Sequence, residues 1–129
     1  MVELTPNSSH LAGEYFVAGE LYRRGYNVGM TIGNAKAIDM FAEKKDHIIA
    51  IQVKTVLSRK SGNWTIGKKD VKKNVVYIFV NLNNTEAPEY YICRSREVKE
   101  KIKSFKNRSG LYISKLRNDK YSNRWDKLK

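Results

Sequence analysis

Apolar residues recur along this chain in two rhythms, and the polar side chains that interrupt them organise the reading. From about Leu11 to Arg24 the spacing is helical. Projected at about 100° per residue, Leu11, Tyr15, Ala18, Leu21 and Tyr22 fall on one arc, with Glu14 inside it. Glu20 lies almost opposite, beside Arg23 and Arg24, and reads as a surface charge. Glu14 is instead a carboxylate placed where the helix meets the protein body, and buried carboxylates rarely lack a partner or a metal. Asn7, Ser8 and Ser9 each suit an N-cap. Gly25 after the basic pair Arg23-Arg24 marks the stop.

The rhythm then changes to two. Tyr26 to Met30 reads as a strand, and Thr31 to Lys36 as a loop punctuated by Gly33-Asn34. Ala37 to Glu43 and Ile48 to Lys54 read as the arms of a β-hairpin joined by a charged connector, Glu43 to His47. Alternation puts Ala37, Asp39 and Phe41 on one face of the first arm. In the second it puts Ile48, Ala50, Gln52 and Lys54 on one face and Ile49, Ile51 and Val53 on the other. Both faces of the second arm are largely apolar, as in a strand covered on two sides. Gln52 and Lys54 therefore project together near the end of a buried strand.

Further on, residues 62–66 form a short strand or turn, and Val75 to Leu82 is a β-branched and aromatic strand. Glu89 to Cys93 is another. Ser95 caps an expected helix from Arg96 to about Lys106, with Val98, Ile102 and Phe105 as its buried stripe. A short strand at 111–113 and a short helix within Tyr121 to Leu128, anchored by Trp125, close the chain. Helix, four or five strands, helix is the order of an α/β domain with a mixed sheet, and 129 residues make one such domain, 1–129.

Charge narrows the partner. The net charge is +12, and residues 94–129 hold 13 basic against 4 acidic side chains, a net +9. A surplus this large points to a polyanion, nucleic acid first. Lys36 and the cluster Lys68, Lys69, Lys72 and Lys73, with Trp64 nearby, are candidate contacts to a nucleic-acid backbone. No apolar run is long enough to span a bilayer, and the first residues lack a signal peptide's pattern, so a soluble cytoplasmic protein is expected. Two His and one Cys make no zinc site of ordinary spacing, and Cys93 reads as a buried structural thiol. Glycine-rich phosphate loops are absent, so no nucleotide or other small-molecule cofactor is expected.

What remains is a constellation of Glu14 from a helix, Asp39 from one strand, and Gln52 with Lys54 from the next. Phosphodiester cleavage with Mg²⁺ needs oxygen ligands, because Mg²⁺ is hard and nearly octahedral. It also needs a cation that assists the attacking water and offsets charge gathering at phosphorus. Asp39 and Glu14 supply charged oxygens, Gln52 a neutral amide oxygen, and Lys54 the cation. Mn²⁺ is the expected substitute for Mg²⁺.

Gly13-Glu14, Arg23 to Tyr26, Ile38-Asp39 and Gln52-Val53-Lys54-Thr55, in this order and spacing, resemble the PD-(D/E)XK nuclease superfamily. The likeness is strongest to archaeal Holliday junction resolvase-like and restriction endonuclease-like members. The resemblance implies a restriction endonuclease-like αβββαβ core, a mixed central sheet flanked by helices. It implies Asp39 as metal ligand, Lys54 as catalytic lysine, and Glu14 as the first-helix glutamate that some members add. Two positions depart from the pattern: Ile38 replaces Pro, and Gln52 replaces Asp or Glu, removing one negative charge from the ligand set. The expected activity is a Mg²⁺-dependent DNA endonuclease, selective for junction or branched structure and working as a homodimer. The alternative is a catalytically lapsed DNA-binding module, or a subunit of a restriction or repair complex.

Overall fold

The computed structural model describes residues 3–32, 37–105 and 108–128. Helix α1 (Pro6–Arg23) is followed by strands β1 (Asn27–Met30), β2 (Met40–Lys44) and β3 (His47–Val56). After β4 (Asn63–Thr65) come β5 (Val75–Asn81), β6 (Glu89–Arg94), helix α2 (Ser95–Lys101), β7 (Lys103–Phe105) and β8 (Arg108–Tyr112). A five-stranded sheet runs β1-β2-β3-β5-β6, and a three-stranded one runs β4-β8-β7. In the larger sheet only β3 and β5 pair in parallel, with Gln52 beside Tyr77 and Lys54 beside Phe79. This is the expected α/β class with a mixed sheet flanked by helices. One part of the expected core is built differently. The parallel crossover from β3 to β5 carries β4 and two single 3₁₀ turns, and the second α-helix follows β6.

Two cores lie on either side of the large sheet. Val17 and Leu21 of α1 pack against Met40, Ala42, Ile51 and Val53, closed by Trp125 and Leu128. On the opposite face Tyr77, Phe79 and Tyr91 pack against Trp64, Val98, Leu111 and Leu116. Trp64 is fully buried there, its indole N–H donating to the Val80 carbonyl at 3.1 Å. It is a core residue and not a neighbour for nucleic acid. Cys93 is buried in the same core, as expected, and burial pushes its thiol up to about 12.

Several local expectations are corrected. Helix α1 begins earlier: Thr5 is the N-cap, its Oγ1 accepting the Ser8 N–H at 3.1 Å, and Pro6 occupies the first turn, where its missing N–H costs nothing. The buried face of α1 is Gly13, Glu14, Val17, Ala18 and Leu21, while Leu11, Tyr15 and Tyr22 are exposed. Small residues decide this, because only they allow α1 to lie close on β3. A Cβ at Gly13 would stand 1.9 Å from Thr55 Oγ1. Helix α2 ends at Lys101 instead of near Lys106. Val98 and Ile102 are buried, but the chain turns extended at Ile102, and Phe105 sits half-exposed in β7 against Tyr112. The β2–β3 turn is only Lys45-Asp46, both at positive φ, so Glu43, Lys44 and His47 belong to the strands.

The end of the chain is tied to α2 by a buried cation. Lys127 Nζ lies 3.0 and 3.1 Å from the two Glu97 oxygens and over the Tyr121 ring. Burial raises the Glu97 carboxyl, but the Arg94 backbone N–H and the Lys127 ammonium outweigh it and leave the carboxyl below its ordinary range.

Two outcomes follow from this packing. Gly13→Ala is expected to lower stability by about 1–3 kcal/mol through overpacking against Thr55. Gly19→Ala, with nothing within 4 Å, is expected to raise stability by up to about 1 kcal/mol through helix propensity; urea titration of both reads the contrast. The Glu97 carboxyl binds protons more weakly folded than unfolded, so its pair stabilises above the ordinary carboxyl range and is lost as pH falls through the folded value. Glu97→Gln is therefore expected to lower the melting temperature at pH 7 and to flatten its fall between pH 5 and 3, as differential scanning calorimetry across that range will show.

Candidate active site

The site forms where β2 ends and β3 continues. Met40, the first residue of β2, is the outermost to pair at this end, opposite Ile51. Beyond it Asp39 N–H still donates to the Ile51 carbonyl at 2.9 Å, and then the chain leaves the ladder. Val53, two residues further along β3, would have an unpaired N–H on that side. The Asp39 carboxylate fills the gap: Oδ2 accepts the Val53 N–H at 2.7 Å. Asp39 thus stands just outside the strand, not within it, and is buried where Phe41 is 42 % exposed. Thr31 fixes the departing segment, its hydroxyl donating toward the Ile38 and Asp39 carbonyls at 2.7 and 3.0 Å and its N–H to the Asp39 carbonyl.

Helix α1 brings the second carboxylate. The close approach of Gly13 to Thr55 seats the next residue, Glu14, against the sheet, where it is 1 % exposed. One turn earlier on the same helix face, His10 Nε2 lies 2.6 Å from Glu14 Oε2 and 3.8 Å from Asp39 Oδ1. The ligand atoms of His10, Glu14 and Asp39 all lie within 4.8 Å of one another. Two carboxylates this close and this buried repel unless positive charge stands between or beside them.

Gln52 and Lys54 flank Val53, so the Asp39–Val53 hydrogen bond fixes both to the same point of the sheet. Both are half-buried. Their register beside Tyr77 and Phe79 puts them on the face away from α1, whereas His10 and Glu14 reach in from the α1 side. Among the described residues neither side chain forms a hydrogen bond or ion pair, and no carboxylate neutralises Lys54. Of the four expected site residues, Glu14 and Asp39 are brought together directly, and Gln52 and Lys54 adjoin them through Val53.

His10 is the residue that sequence reasoning missed. A helix begun after Ser9 leaves it in a terminal segment. With Thr5 as cap and Pro6 in the first turn, His10 and Glu14 become an i, i+4 pair on the buried face. The signal was Thr5-Pro6, a capping residue directly before a proline. Glu20 is, as expected, a surface charge, paired with Arg23 and Arg24. Lys68, Lys69, Lys72 and Lys73 are exposed on the crossover, anchored from below by buried Val71. Lys36 lies outside the described residues.

His10, Glu14 and Asp39 offer a divalent cation two carboxylates and an imidazole nitrogen. Their ligand atoms lie within 4.8 Å of one another, close enough to converge on one ion. A separate cavity of about 500 Å³, lined in part by His47, Arg94 and Arg96, lies at the far end of β3 and contains none of these residues.

The architecture is that of a known enzyme structure. Residues covering 98 % of this chain superpose on 92 % of the bacterial homing endonuclease I-Ssp6803I with a TM-score of 0.67 at 14 % sequence identity. At that identity the likeness establishes the fold, a nuclease-like mixed α/β architecture. No family model matches the sequence. No curated protein matches it either. No helix among the described residues is long and apolar enough to cross a membrane.

The double duty of Asp39 generates a test. Asp39→Ala leaves the Val53 N–H buried without an acceptor and is expected to cost about 1–3 kcal/mol. Asp39→Asn keeps an acceptor oxygen and is expected to lose less than half as much. Chemical denaturation of both variants, with slow hydrogen exchange at the Val53 amide retained only in Asp39→Asn, checks the assignment.

Proposed function

We propose that this chain is a metal-dependent DNA endonuclease that hydrolyses phosphodiester bonds at the break between β2 and β3. The observation that carries the reading is the Asp39–Val53 hydrogen bond, which holds a cation-binding carboxylate between Gln52 and a lysine without a carboxylate partner. The fold shared with a bacterial homing endonuclease and the net charge of +12 support it.

A bound divalent ion, Mg²⁺ or Mn²⁺, supplies Lewis acidity toward the scissile phosphate and toward water. Asp39 and Glu14 provide the negative charge that retains such an ion, and the Gln52 amide oxygen adds a neutral donor. Lys54 directs its ammonium at phosphate oxygens and at the attacking water, where its charge counts most as negative charge gathers around phosphorus. Burial of the carboxylates limits water around them and strengthens each of these interactions. Exposed Lys68, Lys69, Lys72 and Lys73 neutralise backbone phosphates on either side of the cut. Lys36 belongs to the same proposed contact set. Selectivity for junction or branched DNA belongs to the same proposal. Cutting both strands calls for a homodimer that presents two sites to one substrate.

Cleavage of supercoiled plasmid and of branched DNA tests the proposal. Wild type is expected to cut with Mg²⁺ or Mn²⁺ and not with a chelator present. Lys54→Ala and Glu14→Gln are expected to lose at least about 100-fold in rate while binding DNA as wild type does. A wild type that binds DNA but never cuts it would reduce the protein to a binding module, and full activity in Lys54→Ala would remove the lysine from the chemistry.

A further inference from the structure

We infer that His10 is a nitrogen ligand of this site and turns its preference from Mg²⁺ toward Mn²⁺ and other first-row divalent ions; the inference rests on the metal-site reading above. Three observations carry it. The first is position. Nε2 is 2.6 Å from one Glu14 oxygen and 3.8 Å from one Asp39 oxygen, so any ion held by both carboxylates lies within reach of the ring. The second is access. The His10 side chain is 43 % exposed and the two carboxylates only 2 % and 3 %. Of the three groups, the imidazole is therefore the one in contact with water.

The third is the balance of the donor set. Mg²⁺ is held best by charged oxygens and water, and it sheds its water reluctantly. An imidazole adds little for it, whereas later first-row ions gain affinity from nitrogen ligands. Here a neutral amide, Gln52, stands at the second strand position, and a histidine is added from the first helix. The amide lowers the anionic charge of the proposed donor set, and the histidine adds a nitrogen donor to it. The helix cap makes this arrangement possible: with Thr5 and Pro6 starting α1 a full turn before His10, the ring sits on regular helix directly above Glu14.

The plainer role for His10, a hydrogen-bond partner that only steadies Glu14, predicts something different. It would weaken every cation alike when removed, because Glu14 would be loosened for all of them. Nitrogen ligation predicts a selective loss.

Metal binding by the whole chain, without DNA, separates the two. Mn²⁺ binding is read from the electron paramagnetic resonance signal of the free ion, and Mg²⁺ by competition, for wild type, His10→Ala, His10→Gln and Asp39→Asn. Wild type is expected to bind Mn²⁺ at least about tenfold more tightly than Mg²⁺. His10→Ala should lose about 10- to 100-fold in Mn²⁺ affinity while Mg²⁺ stays within about threefold, and His10→Gln, with an oxygen donor of similar reach, should show the same collapse of preference. Pulsed measurements on bound Mn²⁺ should show nitrogen hyperfine coupling in wild type and none in His10→Ala. Equal losses for both ions, an unchanged Mn²⁺ affinity in His10→Ala, or no nitrogen coupling in wild type each overturns the inference about His10 and leaves the metal site standing. A wild type that binds neither ion, or an Asp39→Asn variant that binds Mn²⁺ as wild type does, overturns the metal site itself. Circular dichroism melts confirm that each variant compared is folded.

Discussion

The structure depends on one hydrogen bond between a side chain and the backbone. Where β2 leaves β3, the Val53 N–H would be buried without an acceptor, and the Asp39 carboxylate takes the place of the missing strand. An unsatisfied buried N–H costs on the order of 1–3 kcal/mol, so the sheet is driven to hold Asp39 where it stands. That fixes a carboxylate at the open end of the hairpin and sets Gln52 and Lys54 on either side of it. A constraint of folding and the placement of the proposed chemistry are therefore the same contact.

Around this contact the rest of the fold acts as a brace. Gly13 lets α1 lie against Thr55, which presses Glu14 and His10 toward Asp39. Thr31 ties down the segment from which Asp39 projects. The parallel partner β5 holds Gln52 and Lys54 in register against Tyr77 and Phe79. Behind β5, Trp64 and Tyr91 fill the second core, and the Lys127–Glu97 pair closes the molecule over α2. Two buried carboxylates side by side are costly in any fold, and here His10 lies against both.

Much of this was legible in the chain. Period-two segments placed β3 and β5 because their β-branched runs are long and apolar on both faces. Glu14 was singled out because a helical projection put a carboxylate among apolar residues, and it is buried. Asp39 is legible from its apolar neighbours, although β2 begins only one residue after it, at Met40. The errors share a cause. Side-chain hydrophobicity along α1 points Leu11, Tyr15 and Tyr22 inward, yet all three are exposed. The real face was selected by size, since glycine and alanine allow a close helix–strand approach that tyrosine forbids. Phe105 was read as helical for the same reason, by spacing alone, when β8 offered it a strand partner instead.

By itself, then, the sequence determined the α/β class, the basic surface, the strand that carries Gln52 and Lys54, and the presence of two carboxylates in buried settings. These follow from local periodicity, composition and the cost of burying charge, all of which are written in neighbouring residues. Only the tertiary structure decided that His10 joins Glu14 and Asp39, that Trp64 is core, and that the crossover to β5 needs no α-helix. Those outcomes depend on which surfaces meet across many residues of chain. Chief among them is the meeting of Gly13 with Thr55, since no local pattern specifies a distance between a helix and a strand.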